Sequence, residues 1–349
     1  MKILIIRLSS IGDIIQCMSV VTGLKNKFPD AEIHWVVRSD MESLVKIDPR
    51  IDKIWAFDRK EGFGGVFKLG SKLKKEKFDL IYDAHSNIRS NILKLVLCPF
   101  GLCNLIRKNK LVTRHKDRLK RLLLFKFRIN LLPKPFRALA SFQTPLSKWD
   151  VRKFNTPFDD WNFPAETEEK INTLVLKQIP EGQQWVTLVP SAAWELKRWP
   201  VSYWQKLVEI RNDLHFVVLG GPSDSFCEEI KNTAPDRVIN LAGKTSLMES
   251  FCAVWHSPYV ISGDTGFLHA ADLFQKPGQA IIGPTAFGYP SNPKMKIMEV
   301  DLPCRPCTKD GSTKCKIKED RKCLMDITPE MVANTINPKN SLRRHREWV

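Results

Sequence analysis

The chain lacks any uncharged apolar run of the ~18 residues that a membrane-spanning helix requires. Its most apolar region, 92–106, is interrupted by Lys94, Pro99 and Gly101. A secretory leader is missing as well: Met1–Ile6 is too short for a signal core, and Arg7 breaks it. No internal repeat is evident beyond a recurring strand–helix rhythm. Nine cysteines, an odd number, in a chain without a leader point to a reducing, cytoplasmic compartment with mostly free thiols. Acids are nearly absent from one long segment. Between Leu105 and Arg137 stand Arg107, Lys108, Lys110, Arg114, Lys116, Arg118, Lys120, Arg121, Lys126, Arg128, Lys134 and Arg137, with Asp117 the one acid among them.

What is present fits a soluble globular protein. A length of 349 residues suffices for two domains with separate cores, and the hydrophobic share is 43%. The net charge of +17 is concentrated in the basic segment, where Leu119, Leu122, Leu123, Leu124, Phe125, Phe127 and Ile129 interleave with the cations. Such a segment suits an anionic membrane surface, where each Lys or Arg near the lipid contributes ~1 kcal/mol. It equally suits a solvated helix whose leucines face a core. Nucleic acid is not expected as a partner, because no stacking pattern or binding motif accompanies the charge.

Strand and helix signals alternate through the first half. Strands are expected at 3–6, 33–37, 51–57 and 80–82, with helices at 14–27, 41–47, 64–76 and 90–97. The pattern breaks around Pro133, Pro135, Pro145, Pro157 and Pro164, and then restarts. Strands at 185–189, 215–219, 238–241, 259–262 and 280–282 alternate with helices at 200–210, 223–233, 245–256 and 266–273; a last helix covers 329–337. Alternation of this kind predicts parallel sheets with helices on both faces. The expected division is a first domain over 1–165, a second over 166–325, and a C-terminal helix with a basic tail over 326–349.

Two turns stand where chemistry is expected. Ser262-Gly-Asp-Thr-Gly-Phe-Leu-His269 follows a buried strand and opens a helix. Unpaired N–H groups and the helix dipole make such a turn an anion site, Gly266 admits a phosphate to the backbone, and Thr265 adds a hydroxyl. A chain-reversing Gly-Asp turn has the same local pattern. Arg7-Leu-Ser-Ser-Ile-Gly-Asp13 follows the first strand directly. Asp13 fits a helix N-cap, and it fits a general base at a strand C-terminus.

These two motifs, with Lys197-Arg-Trp-Pro200, Leu219-Gly-Gly-Pro-Ser-Asp224, Leu241-Ala-Gly-Lys-Thr-Ser-Leu247 and Gly283-Pro-Thr285, resemble the family 9 glycosyltransferases, the ADP-heptose:lipopolysaccharide heptosyltransferases. They occur in the family's order over most of the chain. The resemblance implies a GT-B fold, two Rossmann-like doubly wound domains facing a central cleft, with acceptor on the first and donor on the second. It implies an inverting transfer of heptose from ADP-heptose to a lipopolysaccharide inner-core precursor. The setting would be the inner face of the cytoplasmic membrane, with the enzyme as a peripheral monomer. A family member acting on a protein or another glycan, or a non-catalytic nucleotide- or lipid-binding protein on the same scaffold, is the alternative. The C-terminal helix is expected to return to the first domain.

On this reading Asp13 is the catalytic base and Lys197 neutralises the donor diphosphate. Ser191 lies beside the phosphates, and Asp264, Thr265 and Gly266 complete their site. Asp264 would organise N–H groups or sugar hydroxyls, since a bare carboxylate repels phosphate. His269 either contacts phosphate or bonds to backbone in the core. Asp224 stands near the position where the family has Glu on the donor ribose, and Lys244, Thr245 and Leu247 resemble the nucleoside wall. Acceptor contacts are expected from Ser10, Gly12, Arg59, Asp83, His85 and Arg89, with Asp83 equally a turn or cap residue. No Asp-x-Asp motif stands near the phosphates, so metal-independent transfer without a cofactor is expected. Cys304-x-x-Cys307 has zinc-ligand spacing, and with Cys315 and Cys323 it forms a candidate structural zinc site or a set of free thiols.

Overall fold

The computed structural model describes residues 1–151, 158–285, 287–317 and 319–338. Pro157 of the proline-rich stretch and the basic tail at Arg343–Arg346 lie outside the described residues. The chain divides into two compact units. Met1–Arg118 with Ala138–Asn162 makes one, and Leu119–Arg137 with everything from Phe163 onward makes the other.

The first unit carries β1 (Lys2–Ile6), α1 (Ile11–Lys27), β2 (Glu32–Arg38), α2 (Glu42–Lys46), β3 (Lys53–Phe57), α3 (Gly62–Lys75), β4 (Leu80–Asp83), α4 (Ile88–Leu97), α5 (Cys103–Ile106) and β5 (Leu111–Thr113). α6 (Arg118–Phe127) begins at its border, and α7 (Ala138–Gln143) returns to it. Its sheet runs β3-β2-β1-β4-β5, parallel throughout. Ile3, Leu4, Ile5 and Ile6 are all fully buried, as a central parallel strand covered on both faces must be. Chain order reverses beside β1: β2 lies on one side and β4 on the other. The short edge strand β5 inside the basic segment is not foreshadowed by periodicity. Cys98 and Cys103 form a disulfide in this unit, an exception to the expected free thiols; the other seven cysteines are free.

The second unit adds α8 (Ala165–Leu174), β6 (Trp185–Val189), α9 (Val201–Ile210), β7 (His215–Val218), α10 (Cys227–Thr233), β8 (Val238–Asn240), α11 (Leu247–His256), β9 (Val260–Gly263), α12 (Gly266–Leu273), β10 (Gly278–Ile281), β11 (Met295–Met298), α13 (Lys322–Met325) and α14 (Pro329–Ala333). Its sheet order is β11-β10-β9-β6-β7-β8, again parallel. The order reverses between β6 and β9.

Two segments sit differently from the expected domain division. Leu119–Arg137 groups with the second unit. There Phe125 and Phe136 flank Phe287, Arg128 donates to the carbonyls of Pro303 and Pro306, and Arg137 donates to those of Pro290 and Ser291. α14 likewise packs on α9 in the second unit instead of returning to the first. Ile327, Val332 and Ile336 enter that core, and the Trp199 indole donates to the Ile327 carbonyl at 2.8 Å.

Gly278 shows how closely β10 and β9 approach. A Cβ there would lie 2.0 Å from the Val260 carbonyl oxygen. Gly278→Ala is therefore expected to destabilise the second unit by about 1–3 kcal/mol. The readout is the urea midpoint of tryptophan fluorescence, and an unchanged midpoint would mean the strands separate without cost.

Candidate functional site

Each unit gathers its polar groups where its strand order reverses. Such a switch point leaves a crevice at the strand C-termini, because neighbouring crossovers depart to opposite sides. In the first unit the crevice lies between the ends of β1 and β4. α1 starts earlier than its apolar spacing suggests, so Ser10 takes the N-cap position and Asp13 stands in the first turn. Asp13 is thus not the cap. Its carboxylate pairs with Arg7 at 2.5 Å, accepts from the Ser10 hydroxyl at 3.1 Å, and lies 3.8 Å from Arg114.

The cations around Asp13 are held by the fold. The Arg7 side chain is almost fully buried and donates to the Ala84 carbonyl at 2.8 Å. Arg114 is also buried; it donates to Ser141 Oγ at 2.7 Å and lies 3.5 Å from the centre of the Phe142 ring. Burial lowers the Arg114 guanidinium to about 10. Lys116 is brought down to about 8, first by burial and then by Arg7 and Arg114. His85 is brought down to about 4 by burial with the same Arg7 and Lys116, so it is neutral at pH 7. Its Nδ1 and the Nε atoms of Arg7, Arg89 and Arg114 are buried without a hydrogen-bond partner. A carboxylate in this surround, with unsatisfied donors close by, suits an anionic ligand.

The other first-unit candidates divide. Asp83 is fully buried, and its two oxygens are taken by the backbone N–H groups of His85 and Ser86, the Ser90 hydroxyl and the Lys94 ammonium at 2.9 Å. It organises the loop after β4, the turn or cap role that the sequence also allows. Ser10 and Gly12 share the Asp13 turn, with Ser10 exposed. Arg59 is exposed on the short helix after β3, and Arg89 stands in the first turn of α4 with Phe63 beneath its guanidinium. Arg7, Arg114 and Lys116 carry the site without having been singled out by sequence. Arg7 stands inside the motif, whereas nothing in the basic run distinguishes the buried Arg114 and half-buried Lys116 from their exposed neighbours.

In the second unit the crevice lies between β6 and β9. The Lys197 ammonium meets the Asp264 carboxylate at 3.1 Å. Asp264 also accepts from the Thr285 hydroxyl at 2.6 Å and lies 3.7 Å from His269 Nε2. Burial pushes the Asp264 carboxyl up, but Lys197, His269 and Thr285 outweigh it and hold it below the usual range. Two glycines shape this pair. A Cβ at Gly288 would stand 2.3 Å from Asp264 Cγ, and one at Gly311, whose φ is +90°, would stand 2.7 Å from Lys197 Cγ. Asp264 therefore positions a lysine, which is narrower than the expected role at N–H groups or sugar hydroxyls. Thr265 caps α12 by accepting from the Leu268 N–H, and Gly266 opens that helix.

Asp224 is buried, and its carboxylate accepts from the Ser191 hydroxyl, the Gly221 N–H at 2.7 Å and Arg198 at 3.4 Å. It ties the loop after β6 to the loop after β7. Lys244 is exposed, and Thr245 bonds to Ser250 at 2.8 Å. Leu247 begins α11, whose start is set two residues later than expected by the Ser246–Glu249 capping box. The Gly243 N–H donates to the Gly220 carbonyl, joining the loops after β8 and β7. Cys304, Cys307, Cys315 and Cys323 lie near enough for the first three to bear electrostatically on the thiol of Cys323. Among the described residues, however, no three of them place their sulfurs within 4.8 Å of one another.

Comparison with known proteins agrees with this geometry. Residues 113–318 match the profile of glycosyltransferase family 9 (heptosyltransferase). Lipooligosaccharide heptosyltransferase 2 of Haemophilus influenzae is 27% identical over 364 residues, covering 97% of this chain and 99% of its own. Among solved structures, the Escherichia coli ADP-heptose lps heptosyltransferase II superposes with a TM-score of 0.70 at 19% identity, covering 97% and 98% of the two chains. A family 9 glycosyltransferase from Veillonella parvula gives 0.72 at 18%, covering 95% of each. At these identities the two structures establish a shared fold.

The geometry around Lys197 makes a direct prediction. Lys197→Ala should weaken binding of ADP by about tenfold or more, since a charge-assisted bond of about 1.5–3 kcal/mol is lost. Binding of adenosine, which carries no phosphate, should hardly change. Calorimetry distinguishes the two ligands, and equal weakening of both would place Lys197 away from the phosphates.

Proposed function

Because this chain belongs to glycosyltransferase family 9, we propose that it transfers heptose from ADP-heptose to a lipopolysaccharide core acceptor, with inversion at the anomeric carbon. The observation that carries the reading is Asp13, held by buried Arg7 beside Arg114 and Lys116. A lone carboxylate among fixed cations can take a hydroxyl proton while those cations hold an acceptor rich in carboxylate and phosphate. The Haemophilus influenzae relative and the Escherichia coli structure named above carry heptosyltransferase names, the latter with ADP-heptose.

The steps follow from the residues. Asp13 accepts the proton of the acceptor hydroxyl as its oxygen attacks the anomeric carbon. The bond from that carbon to the diphosphate oxygen breaks, and ADP leaves. Lys197 and the unpaired N–H groups at the start of α12 take up the charge that develops on the diphosphate. Asp264, itself bonded by Thr285 and close to His269, holds the lysine. These groups provide the charge that a magnesium ion supplies in other transferases, so no magnesium is required. One displacement with one base inverts the centre.

Two surfaces support peripheral attachment to a membrane. In α6, Leu124 is buried, but Leu119 and Leu122 are more than half exposed beside exposed Arg118, Lys120 and Lys126. In the first unit, Phe100 and Leu105 are 90% and 82% exposed. Among the described residues no single helix is long and apolar enough to cross a membrane; α4 with Pro99–Leu105 passes by length and composition as a pair bent by 61°. Apolar side chains rimmed by cations fit an anionic lipid face that presents the acceptor, which for a lipopolysaccharide precursor is the inner face of the cytoplasmic membrane.

Asp13→Asn is expected to lower turnover by about 100-fold or more, the usual worth of a general base. Product mass from ADP-heptose and truncated lipopolysaccharides reads the loss, and ADP affinity should stay within a factor of two, roughly 0.4 kcal/mol. Thermal unfolding must accompany the assay, because the variant leaves buried Arg7 without its counter-charge. A folded variant of normal turnover would remove Asp13 from the mechanism, and product from other acceptors alone would remove lipopolysaccharide.

Replacing Arg118, Lys120 and Lys126 together with Gln should weaken binding to phosphatidylserine vesicles by about 3 kcal/mol at low salt, at ~1 kcal/mol per charge. Wild-type binding should fall as salt rises. Sedimentation with vesicles measures both, and an unaltered variant would leave α6 a solvated helix.

A further inference from the structure

A third cluster of chemically capable side chains lies in the second unit, away from both switch points. Glu168 stands in the first turn of α8, and Cys252 and His256 stand one turn apart on α11, which packs against α8. The spacing of four residues puts the thiol and the imidazole on one helix face. His256 Nε2 and Glu168 Oε2 are 2.5 Å apart, and the sulfur, ring nitrogen and carboxylate oxygen all lie within 4.8 Å of one another. Cys252 is fully buried, and the His256 and Glu168 side chains are 13% and 19% exposed. No other His, Cys, Asp or Glu set among the described residues meets that distance.

We propose that Glu168, Cys252 and His256 bind a borderline transition-metal ion, Zn²⁺ first among them, which fastens α8 to α11 with water as its fourth ligand. The donor set argues for this class. A thiolate, an imidazole and a carboxylate are all zinc ligands, while a thiolate and an imidazole do not suit Mg²⁺ or Ca²⁺. The size also fits. Metal–ligand bonds of 2.0–2.3 Å in a tetrahedron separate neighbouring donors by about 3.3–3.8 Å. The sulfur lies within 4.8 Å of both other donors, and the His256–Glu168 hydrogen bond opens by less than about 1 Å as the ion replaces the shared proton, so shifts of about 1 Å complete the site.

Charge balances in the bound form: the ion displaces the thiol proton to solvent, and the thiolate and carboxylate together neutralise the dication. The site stands at the C-terminus of α11, where the helix dipole favours a cation. The opposite end of α11, about 15 Å away along its axis, carries the Ser246 cap that follows Lys244 and Thr245. The ion would thus brace a helix of the donor unit from its far end and take no part in the transfer itself. The proposal stands whether or not the transfer reaction is as described above.

The test uses the full chain, stripped of metal with a chelator and then titrated with Co²⁺ and Zn²⁺. Co²⁺ bound through a thiolate gives a sulfur-to-cobalt charge-transfer band and intense tetrahedral d–d bands. One Co²⁺ per chain is expected, displaced by Zn²⁺. Cys252→Ser and His256→Gln should each weaken it by about 100-fold or more, since a direct ligand is lost. Cys304→Ser with Cys307→Ser should leave the bands intact, which separates this site from the cysteine cluster near the C-terminus. Zn²⁺ should raise the thermal midpoint of the wild type and not that of His256→Gln, a partly exposed substitution that spares the core if Cys252→Ser unfolds. The proposal is overturned if the wild type shows no charge-transfer band. It is equally overturned if the bands survive His256→Gln, or if they vanish only in the Cys304/Cys307 double variant.

Discussion

Parallel pairing constrains everything that this protein offers to a ligand. A parallel strand must be followed by a crossover, so all strands of a sheet end at one edge and the loops leave from there. Where successive crossovers depart to opposite sides, the edge opens. β1 and β4 part in this way in the first unit, and β6 and β9 in the second. Arg7, Asp13 and His85 follow the first pair; Lys197 and Asp264 follow the second. The apolar strands themselves carry no chemistry. Their burial fixes the edge, and the edge fixes where cations and carboxylates converge.

Much of this was legible in the sequence because it is local. The runs Ile3–Ile6 and Trp185–Val189 are apolar except for Thr187, so strand ends and the segments after them can be read directly. Asp13 and Lys197 lie in the segments after these two strands, and Asp264 directly follows β9. The sequence was less informative where partners are distant. Asp224 looks available for a ligand as a single letter, yet Ser191 and Arg198 reach it from the loop after β6. β5 and β11 have three and four residues, too few to show a period of two. α8 escaped because its neighbouring prolines and acids resemble a linker.

The basic run between Leu105 and Arg137 shows why charge counts mislead. Its cations read alike, but the fold gives them different work. Arg114 lies under the Asp13 carboxylate on Phe142, Arg121 stacks over Phe287, and Arg128 and Arg137 tie loops by their carbonyls. Arg118, Lys120 and Lys126 in α6 remain at the surface beside exposed leucines. Planar guanidinium suits the inner tasks, since it stacks and forks where ammonium cannot.

The Lys197–Asp264 pair has a thermodynamic consequence of its own. In the empty enzyme the lysine already has a counter-ion, fixed by Thr285 and kept close by Gly288. On the proposed function, a diphosphate arriving there would share or displace that partner, so its binding free energy would be reduced by whatever the resident pair was worth. Asp264 would then act as an internal competitor, weakening the hold on stray phosphate and on the spent nucleotide alike and leaving the donor's sugar and base, which the competitor does not mimic, to decide what stays bound.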